Sequence, residues 1–525
     1  MKRRLILFAT LLAGLITAVA CDTASLDDRT AGRIVHRGNG AEPGTLDPAL
    51  ADDIHAFNVL SDLYEGLVAE AADGALVPGV AESWTVSDDG LVYTFKLRAD
   101  ARWSNGDPVV AQDFVRSFRR IATPATASGY AFLLEPILNF SDVLAGEKMP
   151  NEIGVSATST KTLVMTLSKP ASHWLSILGL PIAFPAHPSG GDPTISNGAF
   201  KLKERRTGGP IRLQRNEHFW GAATVQLDEV VYVPIVDPNA ELNMYRAGEL
   251  DITHSVPTEF IQSAKAQFSS ELRIAPSLAL YYLAFDLTEA PLNNRLLRQA
   301  LTMAVDRDQL VSLLGRGEQP AYSIVPPGVA GYDNTGYDWQ GHTKGDREQH
   351  AKILYEQAGY SAAKPLRIKF TYDAGGVHER VALAVTAMWH EILGVEATLE
   401  KKEWKYFLDT RDQRAEWDVM RFAWFGDYNA ATTFLEIFES GNPQNLARYQ
   451  NSDYDRQLAA GSNKNDADAA AVLMQSAEST LLKDYPIAPL YFFVSKHLVK
   501  PHIAGFEDNA MDRHPSRYLR IASDD

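Results

Sequence analysis

The chain has 525 residues, 45% of them hydrophobic, with 50 basic against 66 acidic side chains and a formal charge of −16. That length and apolar share support two or three packed domains and exclude a disordered chain. The acidic balance excludes a nucleic-acid binder or a protein held to anionic membranes by charge.

The first residues read as a targeting signal and not as part of the fold. Lys2, Arg3 and Arg4 form a basic start, and Leu5 to Ala20 is an apolar run ending in small residues. The run is short for a spanning helix, and no later segment has 18 uninterrupted apolar residues. Residues 1–20 are therefore expected to be removed on export. Ala18-Val19-Ala20 fits an ordinary cleavage site. With Cys21 behind it, the stretch also resembles a bacterial lipobox, although that box usually has Leu where Ala18 stands. Cys21 is the only cysteine, so no intrachain disulfide can form. At the cleavage point it reads as a lipid acceptor, with 21–30 as a polar tether. A diacylglycerol and an N-acyl chain together supply the several anchors that stable attachment needs. Cleavage before Cys21 leaves 505 residues and, with three basic residues removed, a formal charge of −19.

Ile34 to Arg37 reads as a strand and Asn39 to Pro48 as a loop. Phe57, Leu60, Leu63, Tyr64 and Leu67 share one helical face. Tyr93 to Arg98 alternates like a half-buried strand, with a hairpin turn at Asp88-Asp89-Gly90 before it. Ala111 to Ile121 is an amphipathic helix, Thr162 to Leu167 a strand and Ser172 to Leu178 a helix. Ile211 to Arg215 and Glu229 to Pro234 are strands. Glu241 to Ala247 is a helix capped by Gly248. From Tyr281 the pattern becomes strand (281–285), helix (293–304), helix (348–357), strand (366–372), helix (378–393) and strand (395–399). This alternation predicts α/β layering with parallel pairing. A last strand pair is expected at Leu490 to Val494 and His497 to Val499.

The segment Asp418-Val-Met-Arg421-Phe-Ala-Trp424-Phe-Gly426-Asp427-Tyr428-Asn429 carries the most chemistry. An aromatic strand runs into a turn with one Asp, and an Arg stands six residues earlier. A buried carboxylate is costly unless a cation pairs with it. Without a protein cation beside Asp427, the natural partner is a ligand ammonium. Arg421 could hold a ligand carboxylate through its two-pronged guanidinium. The plainer reading is an Asp–Arg pair closing a surface turn.

The series Ala81-Glu82-Ser83-Trp84, Tyr93 to Arg98 and Ala101-Arg102-Trp103-Ser104-Asn105-Gly106-Asp107-Pro108 resembles the signature of the family 5 solute-binding proteins, the extracytoplasmic receptors of bacterial ABC importers. The match continues at Leu46-Asp47-Pro48, Leu63 to Leu67, Ser196 to Phe200, Tyr245 to Glu249 and Ala304 to Arg307, in order along the mature chain. Within that family the chain is most similar to oligopeptide receptors. The resemblance then implies roles for single residues. Asp427, in Trp424-x-x-Asp427-Tyr428-Asn429, falls where the peptide amino terminus is held, with Gly426 beside it. Arg421 falls where short peptides place their carboxylate, and His378 where slightly longer ones do. Ile54 falls in a loop whose backbone pairs with the peptide like a strand. Tyr130 and Trp424 fall where the cleft is lined, and Arg316 near a family Lys that meets carboxylates. Ala279 and Phe425 stand where enteric members have a disulfide. Each role competes with a plainer one: Arg421 could pair with a protein acid, and a helix-start histidine such as His378 often only packs.

The resemblance implies an α/β, two-lobed periplasmic binding protein of three domains that closes by hinge motion. Domain I is expected at 31–64, 191–278 and 493–525, domain II at 65–190 and domain III at 279–492. Function follows as capture of short peptides by main-chain strand addition and delivery to a permease. The receptor is expected to act as a monomer without cofactor or metal. The same fold with murein tripeptide, a nickel chelate or a glycan is the alternative. An exported peptide hydrolase is a further one, but the chain has no G-x-S-x-G and no H-E-x-x-H, and its one Cys is at the lipid site. Its thirteen histidines lack ligand spacing.

Overall fold

The computed structural model describes residues 32–522, apart from 191–192, 330, 375–376, 413–416 and 465. The signal, Cys21 and the tether lie outside the described residues, as do Gly375 and Gly376 before His378.

Two four-stranded sheets occupy the first half. One runs in the order Ile34–Gly38, Glu229–Val233, Ile211–Arg215, Phe200–Arg205, its first pair parallel. The other is antiparallel, in the order Ala81–Val86, Val92–Leu97, Thr162–Thr166, Val155–Ser159. In it Tyr93, Phe95 and Leu97 point inward, as their alternation predicts. Each such apolar side chain contributes about 1.5–3 kcal/mol on full burial. The expected hairpin closes with Gly90 at φ +72° and its N–H on Ser87 O at 2.8 Å. The helix Ala111–Ala122 starts where Asp113 accepts from the Val110 N–H and the Trp103 indole N–H, both at 3.0 Å. That carboxylate satisfies a free helix-start donor and fixes the tryptophan at once.

The second half is built on a six-stranded sheet in the order Gln319–Pro320, Ile487–Leu498, Leu272–Phe285, Val419–Phe425, Arg367–Asp373, Glu396–Lys402. Its centre is apolar on both faces, and Tyr281 to Phe285 are fully buried. Such a strand needs a cover on each side. One parallel unit is clear: Arg367–Asp373, the helix His378–Leu393 and Glu396–Lys402, with Gly394 capping the helix at φ +72°. The expected final strand pair is instead one strand, Ile487–Leu498, because its partner Leu272–Phe285 runs alongside it throughout.

One apolar core joins residues 278–492, and a second joins both four-stranded sheets. The strands Leu272–Phe285 and Ile487–Leu498 run from the first of these cores to a third, smaller one around Leu242, Tyr245 and Leu498. Their register breaks between Pro276 and Leu280. Ala279 and Phe425 are direct cross-strand partners there. The helix expected from Phe57 begins earlier, at Ile54, because Asp53 caps it by accepting the Ala56 N–H at 2.7 Å. Ile54 is thus the first residue of a helix, not part of a loop, and its side chain is exposed.

Candidate functional site

Asp427 lies on the turn after the strand Val419–Phe425. Gly426 N–H donates to Leu278 O at 2.7 Å, and Asp427 N–H donates to Thr433 Oγ1 at 3.3 Å. A Cβ on Gly426 would come within 3.0 Å of the Phe434 ring, so glycine suits this position. Tyr428 then enters the core of the first half, its ring stacked on His173 at 4.8 Å. The turn therefore bridges the two cores.

Among the described residues the Asp427 carboxylate has no hydrogen-bond or ion-pair partner. Burial pushes its pKa up to about 6, and the Arg513 guanidinium pulls only weakly the other way. Arg513 already donates to Glu70 at 2.9 Å. Tyr130 is close enough that Asp427 helps to raise its phenol pKa, after burial, with a smaller contribution from Asp52. Its ring meets Phe57 edge-on at 5.7 Å. Tyr130 thus joins the start of the Ile54 helix to the Asp427 turn.

The three residues expected to meet carboxylates gather in a second region. Arg421 is buried, forms an ion pair with Asp373 and places its guanidinium 4.9 Å from the Phe407 ring centre. His378 opens its helix. Its Nδ1 is 3.1 Å from the Tyr281 hydroxyl, and its Nε2 is 3.9 Å from Asp373. Burial first, then Arg316, pushes the ring down to about 4, so it is neutral at pH 7. Arg316 Nε lies 3.1 Å from Glu318 Oε1, and Lys496 Nζ lies 3.8 Å from the same oxygen. Neither contact has hydrogen-bond alignment for the Glu318 oxygens. The buried Tyr491 hydroxyl feels Glu318, Arg316 and Arg421 but has no hydrogen-bond partner. Arg421, Arg316 and Lys496 thus lie beside the carboxylates of Asp373 and Glu318, and Lys496 also feels Asp512.

Asp373, Glu318, Lys496 and Tyr491 were not singled out from sequence. Each is an ordinary strand or loop residue whose role depends on pairing across the sheet. Trp424 pairs with Leu280, on the opposite face of the sheet from Arg421, which pairs with Leu283. It packs on the core there, its indole N–H buried without a partner.

Residues 75–445 match the profile of the bacterial extracellular solute-binding proteins, family 5. The chain belongs to that family. It is 37% identical to the periplasmic oligopeptide-binding protein OppA of Salmonella typhimurium over 94% of each chain. It is 35% identical to the periplasmic murein peptide-binding protein MppA of Escherichia coli over 89% of each. Among solved structures, MppA in an unliganded open form superposes with a TM-score of 0.88, at 35% identity over 93% of this chain and 97% of that one. A second MppA structure, from Escherichia coli, has the same identity, covers 93% and 98%, and gives 0.74. Haemophilus influenzae OppA in complex with RPPGFSPFR gives 0.72, at 33% identity over 94% and 99%. The fold is the two-lobed α/β architecture of this family.

Proposed function

We propose that this chain is the extracytoplasmic receptor of an ABC importer, that it captures short peptides between its lobes, and that it hands them to the permease. One observation carries the reading: Asp427 is a half-buried carboxylate that no cation among the described residues pairs with, on a turn shared by both cores. A ligand ammonium supplies the missing charge. The cations Arg316, Lys496 and Arg421 offer a place for the ligand carboxylate. Along the strand Leu272–Phe285, Gly426 bonds to Leu278, Lys496 pairs with Ile274 and Arg421 with Leu283. At about 3.3 Å per residue, four or five positions correspond to about 13–17 Å. A peptide of a few residues covers that span.

The better superposition on the open MppA form than on the second MppA structure supports an open, ligand-free arrangement here. Closure would then pivot at the register break between Pro276 and Leu280. Domain limits at 31–64 with 191–278 and 493–525, at 65–190 and at 279–492 agree with that pivot. Lipidation at Cys21 would tether the receptor at the outer face of the inner membrane. The ligand leaves chemically intact.

Native mass spectrometry of the purified protein, before and after a denaturing wash, tests the reading. The expected result is a retained set of intact short peptides with free amino ends. Recovery of only acetylated, glycan or metal-chelate ligands would overturn it. Murein tripeptide is the second reading, favoured by the similarity to MppA. It too has a free amino terminus, and direct competition against tri-alanine separates the two.

A further inference from the structure

Asp373 and Arg421 are both buried, and they pair with each other. A ligand carboxylate brought to Arg421 would meet Asp373 as a like charge. Displacing Asp373 would instead leave a buried carboxylate without its partner. His378 offers no compensation, since its ring is neutral at pH 7. The second group differs. Arg316 and Lys496 both lie beside Glu318, which neither grips with an aligned hydrogen bond; Lys496 also donates to Val494 O at 3.2 Å and feels Asp512. The Tyr491 hydroxyl, fully buried and without a partner, lies beside them. The more loosely held cations are therefore on the Arg316–Lys496 side, whereas Arg421 is tied to Asp373.

We infer that Asp373 is a specificity residue: it cancels Arg421 and moves recognition of the ligand carboxylate to Arg316 and Lys496. This rests on the reading of the interlobe cleft as a peptide site. Arg421 and Lys496 reach the region from different points of the strand Leu272–Phe285, opposite Leu283 and Ile274. Choosing one of them as the carboxylate holder therefore chooses the length of the ligand. With Asp373 in place, one length class dominates. Removing its charge makes Arg421 a second holder and adds a second class.

The test is calorimetry on a di- to hexa-alanine series, each peptide as free acid and as C-terminal amide. It uses the wild type, Asp373→Asn and Lys496→Met. The ratio of Asp373→Asn to wild-type affinity should rise on the order of tenfold at one length, different from the wild-type optimum, and for free acids only. Lys496→Met should lower affinity at the wild-type optimum for acids and leave amides unchanged. A flat ratio across lengths, or a gain equal for acids and amides, would overturn the inference while leaving the peptide reading standing. If Asp373→Asn does not fold, Lys496→Met decides: no loss specific to acids overturns the inference. If no free peptide of any length binds the wild type, the peptide reading falls and takes the inference with it.

Discussion

The two charged regions of the cleft are built in opposite ways. At the Asp427 turn one carboxylate stands without a partner among the described residues, and the cation that acts on it, Arg513, is occupied by Glu70. Around Asp373 and Glu318 cations and carboxylates pair with one another and nearly cancel. A lone half-buried charge raises the energy of the empty protein and makes it ready for a counter-charge. A nearly balanced cluster is stable when empty, and it discriminates through which of its charges remains available. On the proposed reading the first arrangement supplies affinity, and the second supplies choice.

The largest effect should follow from removing the lone charge. Asp427→Ala should cost about 2–5 kcal/mol of peptide affinity, since it strands a desolvated ligand ammonium. N-acetylating the peptide should cost the wild type a similar amount and the variant almost nothing more. Calorimetry of the four combinations gives the coupling directly. Equal acetylation costs in both proteins would remove Asp427 from the amino-end site.

The same carboxylate should leave a mark on the empty protein. Its folded pKa of about 6 stands above the ordinary carboxyl value of 3.8. Between those values the folded state holds more protons than the unfolded state, so this group lowers stability as pH rises through the window. Peptide capture runs the other way, because the ammonium needs the ionised form, so affinity should fall as pH drops through 6. Asp427→Asn should stabilise the ligand-free protein at pH 7.5 by on the order of 1–3 kcal/mol relative to its effect at pH 4. Urea unfolding at the two pH values measures it. No pH dependence in the difference between the two proteins would mean that the carboxylate is not desolvated.

The strand and turn that carry Asp427 were legible in the sequence because their signal is local: an aromatic strand, a glycine and one acid on a turn. His378 was legible for the same reason, as the first residue of a periodic helix that the structure begins at that very residue. The parallel unit around it followed from spacing alone. The Asp373–Arg421 pair was not legible. Its members stand 48 residues apart on separate strands, and only sheet order brings them together. Lys496 was hidden in another way: the expected gap between two short strands fell at it, whereas the long partner strand Leu272–Phe285 carries the pairing straight through. Ile54 was misplaced by a cap, since Asp53 starts the helix one turn before the apolar periodicity becomes visible.

The smallest effect should come from His378, and its sign should be opposite to that of Asp427. Burial lowers the ring from 6.5 to about 4, so between those values the unfolded chain binds the extra proton. Stability from this group therefore rises with pH through that window and is lost as pH falls. His378→Phe keeps a ring to stack on Tyr281 but removes the nitrogen 3.1 Å from its hydroxyl. At pH 7.5 the variant should be less stable by about 0.5–1.5 kcal/mol, the net worth of one hydrogen bond. At pH 5 the deficit should shrink or reverse, because only the wild type must keep a ring neutral against its own tendency to protonate. Asp427 is present in both proteins, so its opposing slope drops out of the difference. Urea unfolding at the two pH values reads the result. A deficit that stays constant would mean the ring titrates normally and is open to water, and the neutral His378 on which the charge balance of the Arg316–Lys496 cluster depends would have to be given up.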